Sequence, residues 1–224
     1  MNPAGGQCFI VSGPSGSGKT TIVDHLLSRV PNLLFSISYT TRPPRGGEQN
    51  GREYFFVQPQ EFEQMIARDE LLEYARVFGQ YYGTHRCVLE QAAQAGKDLL
   101  LDIDVQGAQQ VKARLPEAVA VFVSPPSRQE LEHRLRARGL DAPDVIQRRL
   151  QRAAEEIRSY GTYDYLVVNR DLADTCAQVE AIVLAERARL SGQSSPAEAR
   201  AAAARREATK SQVSAILETF GAHG

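Results

Sequence analysis

The chain has almost no net charge: 26 Lys and Arg stand against 27 Asp and Glu, leaving −1. A global basic field of the kind that holds nucleic acid or an anionic membrane is absent, so any basic character must be local. Cysteine is scarce as well. Cys8, Cys87 and Cys176 lie far apart and form no C-x-x-C pair. That argues against a structural zinc site or a disulfide framework and fits a reducing cytosol. Met1 to Gln7 carry no basic n-region and no long apolar stretch follows them, so nothing resembles a signal peptide or a membrane span. No internal repeat is visible. These absences lead to the expectation of a soluble protein of the cytoplasm, and 224 residues suffice for one α/β core with inserts.

What is present is organised around Gly13-Pro14-Ser15-Gly16-Ser17-Gly18-Lys19-Thr20. This fits G-x-x-x-x-G-K-[ST] at every fixed position. A glycine-rich turn with a surface lysine would carry similar letters, but the flanks argue otherwise. Cys8 to Val11 is short, apolar and β-prone, and Ile22, Val23, Leu26, Leu27 and Val30 form an apolar stripe at helical spacing. Strand, glycine loop and helix together make a phosphate-binding loop. Backbone N–H groups converge on an anion there, helped by the positive end of the helix dipole. Lys19 would reach the β- and γ-phosphates of a bound triphosphate, the Thr20 hydroxyl would hold Mg²⁺, and Thr21 completes the ATP-binding set.

Leu33 to Ile37 predicts a second strand, and Ser38 to Gly51 a shaped loop, because its prolines and glycines exclude helix. Arg42 and Arg45 are close enough in it to face one anion, which arginine's planar fork suits. Arg52 to Val57 reads as a strand, Glu61 to Arg68 as a helix with Phe62, Met65 and Ile66 on one face. Phe78 to Thr84 follows, with Thr84 as a candidate cap for the helix of Val88, Leu89, Ala92 and Ala93. Leu99 to Asp104 is an apolar strand ending in acids. After a phosphate loop such a strand supplies a carboxylate for Mg²⁺, here Asp102. Asp104 reads equally as a helix cap.

Ala118 to Val123 predicts another strand. Ser127-Arg128-Gln129-Glu130 matches a capping box opening a helix with Leu131 and Leu135 inward and Arg134 and Arg138 near its end. A loop, Leu140 to Pro143, leads to a second helix carrying Ile146, Leu150, Ala153 and Ile157, with Arg148, Arg149 and Arg152 beside them. An arginine-dense helical hairpin this late looks like a lid over the triphosphate, although a solvated face of i,i+4 pairs has the same composition. Tyr165 to Asn169 is the last strand, followed by a helix with Val179, Ile182, Val183 and Leu190. After Ser191 the composition changes to a linker, an alanine-rich stretch, and a short amphipathic helix with Val213, Ile216, Leu217 and Phe220. That stripe packs on the core, on a second subunit, or hardly at all; a homodimer through it is an expectation resting on the stripe alone.

Strands alternating with helices predict an α/β fold: a P-loop NTPase core whose parallel sheet is covered by helices on both faces, plus a small inserted lobe and a helical hairpin that looks like a lid. The expected division is 1–37, 97–126 and 160–190 for the core, 38–96 for the insert, 127–159 for the lid and 191–224 for the tail.

Four segments, Ser38-Tyr39-Thr40-Thr41-Arg42-Pro43-Pro44-Arg45, Gly51-Arg52-Glu53-Tyr54-Phe55-Phe56, Gln80-Tyr81-Tyr82-Gly83-Thr84 and Leu101-Asp102-Ile103-Asp104-Val105-Gln106-Gly107, resemble the bacterial-type guanylate kinases in order and spacing. The likeness runs from about Phe9 to Leu190. It implies phosphorylation of GMP or dGMP by ATP with Mg²⁺. It also implies that Arg42, Arg45, Tyr54 and Tyr82 hold the GMP phosphate and that Ser38, Glu73, Thr84 and Asp104 read guanine. Arg134, Arg138 and Arg149 match the family's lid arginines, which with Lys19 and Arg42 make the expected catalytic set, and Asn169 matches its adenine contact. Two rivals stand beside this reading. Another phosphate-loop kinase, acting on a phosphorylated sugar, would not need Glu73, Tyr82 and Thr84 together. A guanylate-kinase-like binding module would be degraded at Lys19, Thr20, Arg42, Arg45 and Asp102, which are all present.

Overall fold

The computed structural model describes residues 6–77, 79–139 and 142–221. In chain order these form β1 (Cys8–Ser12), α1 (Lys19–Arg29), β2 (Leu33–Phe35), β3 (Tyr39–Thr40), β4 (Phe55–Phe56), α2 (Pro59–Ala67), β5 (Leu71–Val77) and β6 (Gln80–His85). Then come α3 (Cys87–Gln94), β7 (Asp98–Asp102), α4 (Val105–Arg114), β8 (Val119–Ser124), α5 (Arg128–Ala137) and α6 (Pro143–Arg158). After a short 3₁₀ turn follow β9 (Tyr165–Val168), α7 (Leu172–Leu190), α8 (Glu198–Ala203) and α9 (Arg206–Gly221). The larger sheet has the strand order β2-β7-β1-β8-β9, and the smaller β4-β3-β6-β5. β2 and β7 run parallel, as do β8 and β9, and every residue of β1 and β8 is buried. This is the continuous apolar reading that a sheet covered on both faces requires. Among the described residues no helix is long and apolar enough to cross a membrane.

By internal contacts the chain separates into two units: Met1–Ile10 with Asn32–Ala118, and Val11–Pro31 with Val119–Gly224. In the first, the small sheet is held by aromatic stacking. Tyr39 lies on Phe55 at 4.7 Å, and Phe62, fully buried on α2, lies on Tyr81 at 5.1 Å. β5 pairs antiparallel with β6, and the register shifts between Leu71 and Glu73. α4 is fastened to the backbone of β5: Arg114 donates to Leu71 O at 2.6 Å, and Gln110 donates to Tyr74 O at 2.7 Å and accepts from Tyr74 N at 3.2 Å.

In the second unit, α1 buries Ile22, Val23 and Leu26, while α7 buries Val179, Ile182 and Val183. The tail folds onto this unit. Ala204 O accepts from Leu166 N at 2.8 Å and Tyr165 bridges Arg205, so the tail backbone pairs with an otherwise open edge of β9. Val213, Ile216 and Phe220 of α9 are buried and Thr219 caps the start of α5, accepting from Arg128 N at 3.0 Å. Of the three fates open to that stripe, packing on its own chain is the one observed for Val213, Ile216 and Phe220.

Several local expectations are corrected. Tyr39–Thr40 is a strand inside the expected loop, and the expected Arg52–Val57 strand shortens to Phe55–Phe56, with a turn over 51–53. Thr84 caps no helix: it lies in β6, and Arg86 occupies the N-cap of α3. Leu27 and Leu190, expected inward, are 40% and 55% exposed; periodicity gave each a place on the stripe, but each falls at its border. Phe78 and the loop residues Leu140 and Asp141 lie outside the described residues, as do residues 1–5.

Candidate active site

The phosphate loop belongs to the second unit. Gly18 is the N-cap of α1, with φ 99°, a left-handed conformation that glycine adopts without strain. A Cβ there would also run into the Asn169 amide. The first turn of α1 has neither a side-chain cap nor an acidic residue, which leaves its N–H groups for an external anion. The Ser17 N–H donates to Pro14 O at 3.1 Å, closing the turn. Lys19 Nζ donates to Gly13 O at 2.7 Å and to Pro14 O at 3.2 Å, so its ammonium is held at the loop by the loop's own carbonyls. Ser15, Thr20 and Thr21 are exposed, whereas Gly16 and Ser17 are buried.

Asn169 is 3% exposed and its amide is engaged at both ends. It donates to Ser17 O at 2.8 Å and accepts from the Thr175 hydroxyl at 3.2 Å, so it braces the loop. The hairpin arginines differ in placement. Arg134 pairs with Glu130 at 2.8 Å and donates to Asn169 O at 2.9 Å; Arg149 reaches the loop itself, donating to Ser15 Oγ at 2.9 Å. Arg138 is exposed at the C-cap of α5. The capping box holds in half: Ser127 Oγ accepts from Glu130 N at 3.2 Å, while the Glu130 carboxylate turns to Arg134.

The residues expected to hold the acceptor lie in the first unit. Arg42 is 8% exposed and makes a bidentate pair with Glu48, both bonds at 2.9 Å, while its guanidinium lies 5.3 Å from the Tyr54 ring centroid. Glu48 also accepts from Arg45 N at 2.7 Å, and the Arg42 hydrogen bond holds its carboxyl below the usual range. Arg45 itself is exposed. Tyr54 and Tyr82 meet edge to face at 5.9 Å, and burial, then the charge of Asp102, pushes the Tyr54 phenol up. Arg42, Tyr54 and Tyr82 are thus neighbours. Glu48 was not among the expected site residues. Its signal was an acid three residues after Arg45 within a Gly-Gly turn, which spacing alone does not raise above a surface charge.

Glu73 stands opposite Thr84 across the β5–β6 ladder, just past the register shift that re-aims it. The Thr84 hydroxyl donates to Glu73 Oε1 at 2.7 Å; Glu73 is 4% exposed and Thr84 fully buried. Burial raises the Glu73 carboxyl to about 7, against the opposing hydrogen bond from Thr84 and with help from Asp104. Asp104 caps α4, accepting from Gly107 N at 2.9 Å, so the capping reading of this residue is realised. Ser38 is half-buried at the mouth of β3, its carbonyl accepting from Phe55 N at 2.9 Å.

Comparison with known proteins agrees with this geometry. The family profile described as guanylate kinase matches residues 5–186. A guanylate kinase of Koribacter versatilis is 56% identical over 189 residues, covering 83% of this chain and 81% of that protein. The guanylate kinase of Escherichia coli K12 is 47% identical over 192 residues, 85% of this chain and 93% of that one. The crystal structure of guanylate kinase from Anaplasma phagocytophilum superposes with a TM-score of 0.68 at 35% identity, covering 82% of this chain and 87% of that chain. An uncapped phosphate loop in one unit, a buried acid with arginines and tyrosines in the other, and relatives this similar over most of their length lead to one conclusion: the chain belongs to the guanylate kinase family.

Proposed function

We propose that this chain transfers the γ-phosphoryl group of ATP to GMP or dGMP, giving ADP and the nucleoside diphosphate. The observation that carries the base assignment is the buried Glu73–Thr84 pair. Guanine presents N1–H and N2–H₂ side by side, two donors for one ionised carboxylate. Adenine offers no such pair and would leave a buried acid unpartnered, a mismatch worth on the order of 10⁴-fold in discrimination. A sugar-phosphate kinase has no use for this acid. Ser38 and Asp104 complete the proposed guanine contacts.

Arg42, Arg45, Tyr54 and Tyr82 are proposed to grip the GMP phosphate. Glu48 then stands in for that phosphate in the ligand-free chain, presenting two oxygens to the Arg42 fork as a phosphate would. In the transfer, an oxygen of the GMP phosphate bonds to the γ-phosphorus while the bond to the bridging oxygen of ADP breaks. Alignment and charge neutralisation serve this step more than a protein base does, so none is assigned. Lys19 leaves its carbonyl partners for the β- and γ-phosphates; Arg134, Arg138 and Arg149 spread positive charge over the transferring group. Closure of the 127–159 hairpin would exclude water, whose attack on ATP is the competing reaction. Mg²⁺ suits the oxygen donors available: the exposed Thr20 hydroxyl is its proposed ligand, Asp102 its proposed carboxylate, and bound it would offset phosphate charge. Asn169, committed to the loop, supports the ATP side by bracing it. A cytoplasmic setting fits the free thiols of Cys8, Cys87 and Cys176.

The test is ADP release from ATP and Mg²⁺ with GMP, dGMP, AMP, IMP, CMP and UMP offered separately. Turnover with GMP and dGMP and almost none with AMP is expected. Equal turnover with AMP would overturn the base assignment, and none with any acceptor would overturn the activity.

A further inference from the structure

Gly107 lies in the first turn of α4, a position where alanine is the better helix former. A Cβ built on it would have three nearest heavy atoms, all of them in Glu73: Oε2 well inside contact distance, Cδ at 3.0 Å and Cγ at 3.4 Å. The Glu73 carboxylate therefore occupies the space that a side chain on α4 would fill.

Both partners are held in place by hydrogen bonds. α4 is tied to the backbone of β5 on both sides of Glu73, by Arg114 to Leu71 O and by Gln110 to both polar groups of Tyr74. Its first turn is fixed by the Asp104 cap on Gly107 N. Glu73 is 4% exposed, with Oε1 held by the Thr84 hydroxyl. A methyl group at residue 107 would press on the carboxylate end of the Glu73 side chain and turn it from its present position beside that hydroxyl. We propose that Gly107 is a specificity-determining positioning residue: its missing side chain is what holds Glu73 where both guanine donors can reach one carboxylate. This rests on the reading of Glu73 as the guanine acceptor. Gly107 acts here through Glu73, whose atoms are the nearest to the missing side chain.

The test compares Gly107→Ala, Glu73→Ala and the double variant by calorimetric binding of GMP and of IMP, which lacks the 2-amino group, with thermal melts of each chain. In Gly107→Ala, GMP should weaken on the order of tenfold more than IMP. On the Glu73→Ala background the same methyl should change either ligand by less than about twofold, because its collision partner is gone. Equal weakening on both backgrounds, or an unmoved GMP-to-IMP ratio in Gly107→Ala, would overturn the inference. A Gly107→Ala chain that fails to fold while the double variant folds supports it; failure of both overturns it. Glu73→Ala retaining the full GMP-over-IMP preference would instead strike the guanine reading itself, a separate result.

Discussion

The two regions that carry the proposed site residues are built by opposite means. The phosphate loop is one uninterrupted stretch, Gly13 to Thr20, whose ligands are mostly backbone N–H groups with Lys19 parked on neighbouring carbonyls. The acceptor half collects side chains from 38 to 104 on a small sheet and the start of α4, and keeps them in mutual contact: Arg42 on Glu48, Tyr54 against Tyr82, Thr84 on Glu73. A backbone site tolerates most side-chain changes and fails when Lys19 is lost. A side-chain site is graded, since each substitution removes one contact and strands a partner. On the proposed reading, charge handling belongs to the phosphate loop and base selection to the lobe.

Replacing Lys19 by alanine should separate the halves most sharply. Turnover is expected to fall on the order of 10³-fold, while GMP affinity measured by calorimetry stays as it was; a parallel loss of GMP binding would break the division. Arg42→Lys keeps the charge but loses the planar fork, so KM for GMP should rise on the order of tenfold to a hundredfold with KM for ATP unmoved. Steady-state kinetics with each substrate varied in turn checks this.

The Glu73 carboxyl gives a pH signature. The proposed guanine contact needs it ionised, and burial holds it at about 7 instead of its ordinary 4.5. GMP affinity should therefore fall as pH drops through 7, approaching about tenfold per unit, and the slope should vanish in Glu73→Gln. The sign for folding is opposite. An acid raised in the folded state destabilises it when ionised, so the ligand-free chain bears no cost below about pH 4.5 and the full cost, roughly 3 kcal/mol, above about 7. Urea unfolding at pH 6 and 8, compared between the native chain and Glu73→Gln, reads the last part of that rise, about 1 kcal/mol.

The smallest effect on activity is expected from the tail. Ile216→Ala opens a cavity beneath α9 and should cost about 2–4 kcal/mol of stability, with kcat unchanged. A matching loss of activity at low temperature would show that the tail reaches the chemistry.

Legibility followed the same division. The strand, loop and helix around Lys19 could be read residue by residue because local spacing is what builds them. The lobe was read less well. Its strands are two to seven residues long and depend on cross-strand partners, so Tyr39–Thr40 passed for loop and Thr84 for a cap. Glu73 could be named from family likeness, but no spacing marks an acid that becomes buried only when β5 bulges and α4 closes on it. Glu48 went unnoticed for a related reason: its partner is Arg42, and the turn that folds one onto the other is not visible in composition.

By itself the sequence determined that this is an α/β chain with a phosphate loop at the end of β1, since apolar period and backbone freedom are local properties. Only the tertiary structure decided that α9 lies on its own chain, that Asn169 braces the loop, and that the side chain missing from Gly107 is the room in which Glu73 sits. Each of these depends on atoms brought together from distant parts of the chain, and close packing gives such atoms one arrangement that spacing cannot encode.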